Sequence, residues 1–303
     1  MKITVAICTR NPRLDVLAEV LESLKLQTYT SFETLLINNG GDELPLLPLQ
    51  DKFGFDLVFE SRIGNSWARY AAMSISNADL LVFVDDDNIL APNYVEEAVS
   101  LSIKYPSWGV FGGKQIRHEE LRVPKKKEFL LPYLAIRDLG QNNLSQKAEL
   151  HWVPLEPVGA GMCITKKVIA TFLSSPNLSH YFKLGRKGKR LLSGEDSFIA
   201  RQTAFSGLDY GYSPSLELIH RISRNRLSTS YLARLMFGYG LSDVKLDRAL
   251  NLNRSDFPPT IKVILLEFLF LCGKGKYGYL LGLRSFGRYW GSRIEFRSNP
   301  RSN

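Results

Sequence analysis

Apolar and polar positions alternate in blocks over the first hundred residues. The β-branched run Ile3–Thr9 predicts a buried parallel strand. Leucines spaced by three or four residues predict a helix to about Lys25, with Asn11 as its N-cap and Pro12 as its first residue. Further strands are predicted over 34–37, 56–60 and 80–84, and an alanine-rich helix over 66–76. This alternation is typical of an α/β protein with a mostly parallel sheet.

The pattern is less regular after residue 105. We expect irregular structure over 105–160, a strand or the start of a helix over 162–172, and helices over 197–205 and 231–237. The run Ile261–Cys272 is very apolar but has only twelve residues. Because a membrane span needs about 20, this run predicts a core helix or one that lies in a membrane interface.

Polar clusters follow three of the predicted strands where each strand ends. These clusters are Thr9-Arg10, Asn38-Asn39 and Asp85–Asp87. Because α/β sheets bind ligands beyond the carboxyl ends of their strands, the sequence predicts one ligand site at this edge.

The three aspartates suggest a cation. On an extended strand Asp85 and Asp87 point to one side and Asp86 to the other. Converging carboxylates are disfavoured unless a cation compensates them, and Mg²⁺ or Mn²⁺ prefers oxygen ligands together with substrate phosphates. The alternative is a solvated Asp-rich turn that caps a helix near Pro92.

Composition narrows the class of protein. The chain has 303 residues, 45% of them hydrophobic, and only three widely spaced cysteines. These values exclude a disordered chain, and they argue against a disulfide framework or a structural zinc site.

The first polar turn comes too early for a secretory signal, so we expect a cytoplasmic protein. No GxGxxG follows the first predicted strand and no GxxxxGK[ST] occurs, which argues against a dinucleotide-dependent dehydrogenase and a P-loop ATPase.

Positive charge is concentrated near the C-terminus. Residues 261–303 contain eight Lys or Arg and two Glu, a net charge of +6 out of +9 for the chain. Such charge beside an apolar run suits an anionic membrane surface, so a peripheral location on the cytoplasmic face of a membrane is one expectation. A solvated basic tail is the other. Without any nucleic-acid-binding motif, we expect no nucleic-acid partner.

Four segments in the same order resemble the inverting glycosyltransferases of family 2. They are TVAICTRN, IGNSWARYAA and LLVFVDDDNILAP, followed downstream by GEDS. The resemblance covers roughly residues 1–240 and implies the GT-A fold, with a nucleotide-sugar half (1–105), an acceptor half (106–240) and a basic helical extension (241–303). It also implies a nucleotide-diphospho-sugar donor, a divalent cation (Mn²⁺ or Mg²⁺), and a hydroxyl of a glycan or lipid-linked acceptor. The pathways it suggests assemble polysaccharide, lipopolysaccharide or glycolipid.

The resemblance assigns roles at the strand ends. Thr9 and Arg10 match the turn at the nucleotide pocket, and Arg69 matches an arginine near the nucleotide. Asn38 and Asn39 stand where the family usually has acidic residues, one of which reads uracil, so the nucleobase is open. The aspartates match the DxD motif, with Asp85 and Asp86 toward the ribose and Asp87 with Asp85 on the metal. The alternatives are a tight Asn-Gly turn and a surface helix arginine.

Inverting transfer also needs a base for the acceptor hydroxyl. The pair Glu195-Asp196 resembles the family's ED motif at a helix start, which makes Asp196 the candidate base and Glu195 its orienting partner. The alternative is an acidic pair favoured by the helix dipole. The resemblance also makes His220 a candidate ligand near the metal, the alternative being a structural histidine. The basic loop 185–190 is predicted to order on a diphosphate or, alternatively, to be a solvated surface loop.

Two other functions remain open at this point. A sugar-nucleotide pyrophosphorylase should have a glycine-rich basic loop after its first strand, and TRNPRLD is not glycine-rich. A non-catalytic protein that binds sugar nucleotides or glycans has no chemical need for Asp196.

Overall fold

The computed structural model describes residues 1–186, 191–252, 261–272 and 278–298. The chain divides into two units. Unit 1 contains residues 1–121, 131–176 and 199–222, and unit 2 contains residues 122–130, 177–198 and 223–303. The domain boundary expected after residue 240 stays a prediction.

The first half of unit 1 is a parallel sheet, as its apolar runs predict. Its strands lie in the order β3-β2-β1-β4. They are β1 (Ile3–Thr9), β2 (Glu33–Asn38), β3 (Asp56–Phe59) and β4 (Leu80–Asp85), joined through helices α1 (Leu14–Lys25), α2 (Leu47–Phe53) and α3 (Asn65–Ile75). Every residue of β1 is buried, because both faces of this strand are covered.

The sheet continues from β4 through the second half of unit 1 in the order β4-β8-β6-β9-β5, with β7 paired to β9. These elements are β5 (Asn88–Leu90), α4 (Tyr94–Lys104), β6 (Trp108–Arg117), β7 (Leu144–Lys147), β8 (Met162–Thr165), α5 (Lys166–Leu173) and β9 (Asp209–His220). Over the part of the chain that is described, six of the nine strands run in one direction, because β5, β7 and β8 are antiparallel to their neighbours. The expected mostly parallel α/β sheet is confirmed.

Two local predictions were wrong. The stretch expected to be irregular contains β6 and β7, and the register of β6 on β9 shifts at two places, between Trp108 and Val110 and between Gly113 and Lys114. A Cβ at Gly113 would overlap the Leu216 carbonyl, so glycine marks a close strand contact there and not a loop. Helix α1 begins at Leu14 with Arg13 as its N-cap, because Asn11 takes a left-handed conformation (φ 51°).

Unit 2 contains mainly helices. They are α6 (Leu178–Tyr181), the first turn of α7 (Glu195–Phe205), α8 (Thr229–Ala249), α9 (Ile261–Cys272) and α10 (Gly278–Ser298). Helix α8 continues twelve residues past the predicted end at 237. The C-terminal helices expected from the sequence are present. Within the described ranges, no helix combines the length and the apolar character needed to cross a membrane.

Candidate active site

The sheet register brings the three predicted polar clusters together at one edge. Thr9 pairs with Asn38 across β1 and β2, and Cys8 pairs with Asp85 across β1 and β4. The buried Thr9 hydroxyl donates a hydrogen bond to the Asp86 carboxylate. The ends of three neighbouring strands therefore form one polar edge. The side chain of Arg10, the next residue along the chain, is exposed.

A tight turn at Asp86 and Asp87 joins β4 to β5, and Asn88 holds it closed. The fully buried Asn88 side chain accepts the Asp85 N–H at 3.1 Å and donates to Asp87 Oδ1 at 3.4 Å. These bonds fix the direction in which the aspartates leave the strand. Asn88 was not among the predicted site residues, although asparagine directly after an acidic run is a recognisable turn signal.

His220 lies beside the third aspartate because β5 pairs with the end of β9, where His220 is opposite Asn88. Its Nε2 is 3.2 Å from Asp87 Oδ1, and its Nδ1 is 3.3 Å from the Ala135 carbonyl oxygen. A carbonyl only accepts, so Nδ1 carries a proton and donates. Nε2 and the carboxylate oxygen then require either a second proton or a cation between them.

These donors fit a divalent cation that is completed by the substrate. Imidazole and carboxylate groups suit Mn²⁺, which in such sites also binds substrate phosphates. Among the side chains that the structure describes, no group of three or more His, Cys, Asp or Glu is arranged to hold a metal ion by itself. The pair Asp87–His220 therefore suits partial coordination, in which further ligands come from a bound diphosphate.

Arg69 is buried beside the aspartates, so the surface-helix alternative was wrong. The side chain is 3% exposed, its Nη2 is 3.3 Å from Asp85 Oδ1, and its guanidinium lies 5.1 Å from the centre of the Phe83 ring. Gly159 packs directly against this guanidinium, because a Cβ there would lie 2.6 Å from Nη1 and 2.9 Å from Cζ. Arg69 is thus held by a carboxylate, a ring and a residue without a side chain.

Cys8 is a structural thiol within this cluster. Its pKa is raised to about 12, mainly by burial; the charges of Asp85 and Asp86 act in the same direction, and that of Arg69 opposes them. The thiol stays protonated at neutral pH. Because the thiolate is the nucleophilic form, Cys8 is not a nucleophile.

Asn38 and Asn39 organise the loops that follow β2 and β3. Asn38 exchanges two hydrogen bonds with the main chain of Gly41, each of 3.0 Å. The Asn39 amide donates to the carbonyls of Glu60 and Arg62, and its oxygen accepts the Gly64 N–H at 2.7 Å. Both side chains are almost completely buried. Their amides bind the protein's own main chain, and their role in reading a base stays a prediction.

The predicted base lies at the beginning of α7, in unit 2. Glu195 is 6% exposed, while Asp196 is more accessible and its Oδ1 lies 2.9 Å from the Ser197 amide nitrogen. This agrees with the expected helix start, where a carboxylate is favourable. Of the basic loop 185–190, residues 187–190 lie outside the described residues.

Comparison with a sequence model of the family "Glycosyl transferase family 2" gives a match over residues 4–155, which is half of the chain. The match includes β1 to β7 and therefore the polar edge with Thr9, Arg69 and the three aspartates.

Two related proteins match shorter regions of the chain. An uncharacterized glycosyltransferase of Bacillus subtilis, YwdF, is 30% identical over 99 residues, which is 32% of this chain and 37% of the relative. A glucosyl-dolichyl phosphate glucuronosyltransferase of Haloferax volcanii is 28% identical over 131 residues, or 41% of this chain and 42% of the relative. The chain thus spans about two fifths of the length of each of these relatives.

Solved structures share the fold at low sequence identity. A truncated TarS of S. aureus (residues 1–349) in complex with UDP-GlcNAc is 12% identical with a TM-score of 0.53, covering 100% of this chain and 93% of that one. The mannosyltransferase PcManGT of Pyrobaculum calidifontis, in complex with GDP-Man and Mn²⁺, is 13% identical with a TM-score of 0.56, covering 99% and 88%. These similarities confirm the predicted GT-A fold. With the family match over half of its length, the chain belongs to glycosyltransferase family 2.

Proposed function

We propose that this protein transfers a sugar from a nucleotide diphosphate to an acceptor hydroxyl with inversion at the anomeric carbon. The observation that carries this proposal is the polar edge of unit 1, where Asp87 and His220 lie 3.2 Å apart beside the Arg69–Asp85 pair. An anionic diphosphate needs charge stabilisation as it leaves, and this edge has both a cation-binding pair and a buried guanidinium.

The donor would bind along the strand ends. Asp87 and His220, with Asp85, would hold the divalent cation, and that ion supplies Lewis-acid stabilisation of the departing diphosphate. Asp86, already oriented by the Thr9 hydroxyl, would accept a hydrogen bond from the ribose. The structures of TarS with UDP-GlcNAc and of PcManGT with GDP-Man and Mn²⁺ support this class of donor and cation.

The nucleotide pocket also needs rigid walls. Asn38 and Asn39 fix the loops after β2 and β3, and in the same region the Arg62 guanidinium stacks over the Trp67 ring at 3.9 Å. Arg10 directly follows β1 and, unlike Asn38 and Asn39, is exposed. Its guanidinium would therefore be accessible to the nucleotide phosphates.

Asp196 would act as the general base. The acceptor O–H bond breaks and its proton passes to the Asp196 carboxylate, while the acceptor oxygen bonds to the anomeric carbon and the bond from that carbon to the diphosphate oxygen breaks. Glu195, which is buried beside it, would orient the acceptor or the base. The acceptor would supply a hydroxyl of a glycan or of a lipid-linked molecule.

The test uses isotope-labelled nucleotide sugars with and without Mn²⁺. Asp196→Asn should lower turnover by about 10²-fold or more, because general base catalysis contributes about 10²- to 10⁴-fold, and it should leave donor binding nearly unchanged. Asp15→Asn, which changes an exposed aspartate in the first turn of α1, is the matched control and should keep full activity. Equal loss of donor binding and turnover in Asp196→Asn would contradict the assignment.

We also propose that the C-terminal helices contact an anionic membrane surface. The outward side of α9 leaves four large apolar side chains 45–68% exposed: Leu265, Leu266, Leu269 and Phe270. Lys262 is exposed on the same helix, in a region of net charge +6. An apolar helix face with positive charge is the arrangement that binds anionic bilayers.

Vesicle sedimentation tests this surface. Leu266→Gln with Leu269→Gln should abolish co-sedimentation with phosphatidylglycerol vesicles at low salt. Ile75→Gln with Ile103→Gln, which changes two exposed isoleucines of unit 1, should not. Wild-type protein that stays in the supernatant would refute the proposal.

A further inference from the structure

The segment that leads into α7 is fixed to helix α8, and both lie in unit 2. The Ser193 N–H donates to Ser242 Oγ at 2.9 Å, and this hydroxyl donates to the Gly238 carbonyl at 2.8 Å. Ser242 is 3% exposed. Its hydroxyl therefore acts as donor and acceptor at once, and it joins the chain three residues before Asp196 to the helix.

Two other residues of α8 complete this contact. Gly238, Ser242 and Leu246 are four residues apart and form one stripe along the helix. A Cβ at Gly238 would overlap the Leu191 carbonyl, so only glycine allows the segment to lie this close. At the other end a Cβ at Gly194 would lie 3.9 Å from the Leu246 side chain, and the φ of 105° at Gly194 favours glycine. We call Gly238, Ser242 and Leu246 the docking stripe.

The direction of the first turn of α7 depends on Gly194. The Gly194 carbonyl accepts the Phe198 N–H at 2.9 Å, which is the first hydrogen bond of the helix. The Phe198 ring then packs on Tyr181, with centroids 5.2 Å apart. Fixing Gly194 against the docking stripe thus fixes the turn that carries Glu195 and Asp196.

Helix α10 supports α8 from another side. Gly240 packs against the main chain of Arg284, and Gly287 packs against the Phe237 carbonyl. The Arg284 guanidinium binds both carboxylate oxygens of Asp243, at 2.8 and 3.0 Å. Helix α8 is therefore a rigid support, which is what a precise side-chain position requires.

Resting on the proposed role of Asp196 as base, we propose that Ser242 is a positioning residue that holds the Asp196 turn in its productive orientation through the Ser193 amide. The C-terminal helices then have a task in the reaction besides any contact with a membrane. Tyr239 on α8 is consistent with this, since burial and the nearby negative charge of Asp196 both raise its pKa, so its phenol stays neutral.

The test compares two buried serines of unit 2. Ser242→Ala should lower kcat about tenfold, because a small misplacement of a catalytic group is costly, and should leave the donor Kd and KM unchanged. Ser242→Cys keeps a weak acceptor of similar size, so its kcat should lie between those of the wild type and Ser242→Ala. The control is Ser292→Ala, whose hydroxyl donates to the Tyr289 carbonyl of its own helix, and its kcat should be that of the wild type.

A double variant separates positioning from general loss of structure. In the Asp196→Asn background, Ser242→Ala should cause no further loss of turnover, since the group that it positions is already gone. Two outcomes would overturn the inference: losses of turnover that add up in the double variant, or a kcat of Ser242→Ala within twofold of that of Ser292→Ala. If Asp196→Asn alone keeps full turnover, the proposed base is wrong, and that result is distinct from a failure of Ser242→Ala.

Discussion

The polar edge of unit 1 and the Asp196 turn of unit 2 are built in different ways. At the edge, main-chain pairing of parallel strands sets the positions of Thr9, Asn38 and Asp85. At the turn, a serine hydroxyl and two glycines hold an irregular segment against a helix. The first arrangement follows from the order of the strands, whereas the second depends on single side chains.

This difference has a consequence for tolerance to mutation. Many main-chain hydrogen bonds between the strands share the stabilisation of the edge. The strand frame is therefore insensitive to the change of any one side chain. The Asp196 turn relies on a few close contacts, each of which one added methyl or one lost hydroxyl disturbs. We therefore expect changes at the edge to act on the donor, and changes near the turn to act on turnover alone.

The largest expected effect is that of Asp87→Asn. Loss of one carboxylate charge from the Asp87–His220 pair should weaken cation binding, and with it donor binding in Mn²⁺ and turnover, by about 10²-fold or more. Calorimetric titration of the nucleotide sugar with and without Mn²⁺ measures this. If this variant kept the donor affinity of the wild type, the expected difference would be wrong, because a change at the edge, like one at the turn, would then leave donor binding intact.

A smaller loss is expected for Gly159→Ala. The added Cβ would push the Arg69 guanidinium away from Asp85, and we expect roughly tenfold weaker donor binding, a loss of about 1.4 kcal/mol. Gly112→Ala is the matched control, since a Cβ there meets its first neighbour at an ordinary 3.7 Å. Equal donor affinities in the two variants would show that the Arg69 position does not matter for the donor.

The smallest effect concerns stability at the rim of the edge. Glu60 accepts the Arg62 N–H and binds its guanidinium at 2.7 and 2.8 Å, and the side-chain bond to Arg62 lowers the pKa of Glu60. A carboxyl whose pKa is lower in the folded state stabilises the fold above its unfolded pKa and loses that contribution as pH falls through the folded value. Glu60→Gln should therefore cost about 1 kcal/mol at pH 7 and less at acid pH.

Urea unfolding at the two pH values checks this expectation. Glu33→Gln is the control, because Glu33 pairs with Lys2 in an exposed position, where an ion pair contributes little. A cost for Glu60→Gln that does not change with pH would assign its effect to packing and not to charge.

Much of the polar edge was predictable because strong signals coincide there. The β1 and β4 runs are mostly apolar and end in polar clusters, so both the sheet and the position of its polar edge follow from the pattern. The burial of Arg69 did not follow. The partner that makes room for it, Gly159, is 90 residues away and carries no side chain that a local pattern would reveal.

The second half of the fold gave weaker signals for physical reasons. Strand β6 contains paired glycines and β9 contains Pro214, both of which usually indicate a loop or an edge. The helix predicted over 231–237 stops just before Gly238. Glycine destabilises a helix interior, yet in α8 Gly238 and Gly240 permit close packing on both sides. In each case a tertiary contact outweighs the local preference.

Two of the three cysteines are buried in the sheet, so the third is a natural attachment site for a probe. Cys8 and Cys163 are buried, and burial raises the pKa of both, so alkylating reagents should leave them untouched. Cys272, at the last position of α9, is partly accessible. A maleimide dye should therefore attach at one defined place without any engineering, and its emission would report in real time on the surroundings of that helix.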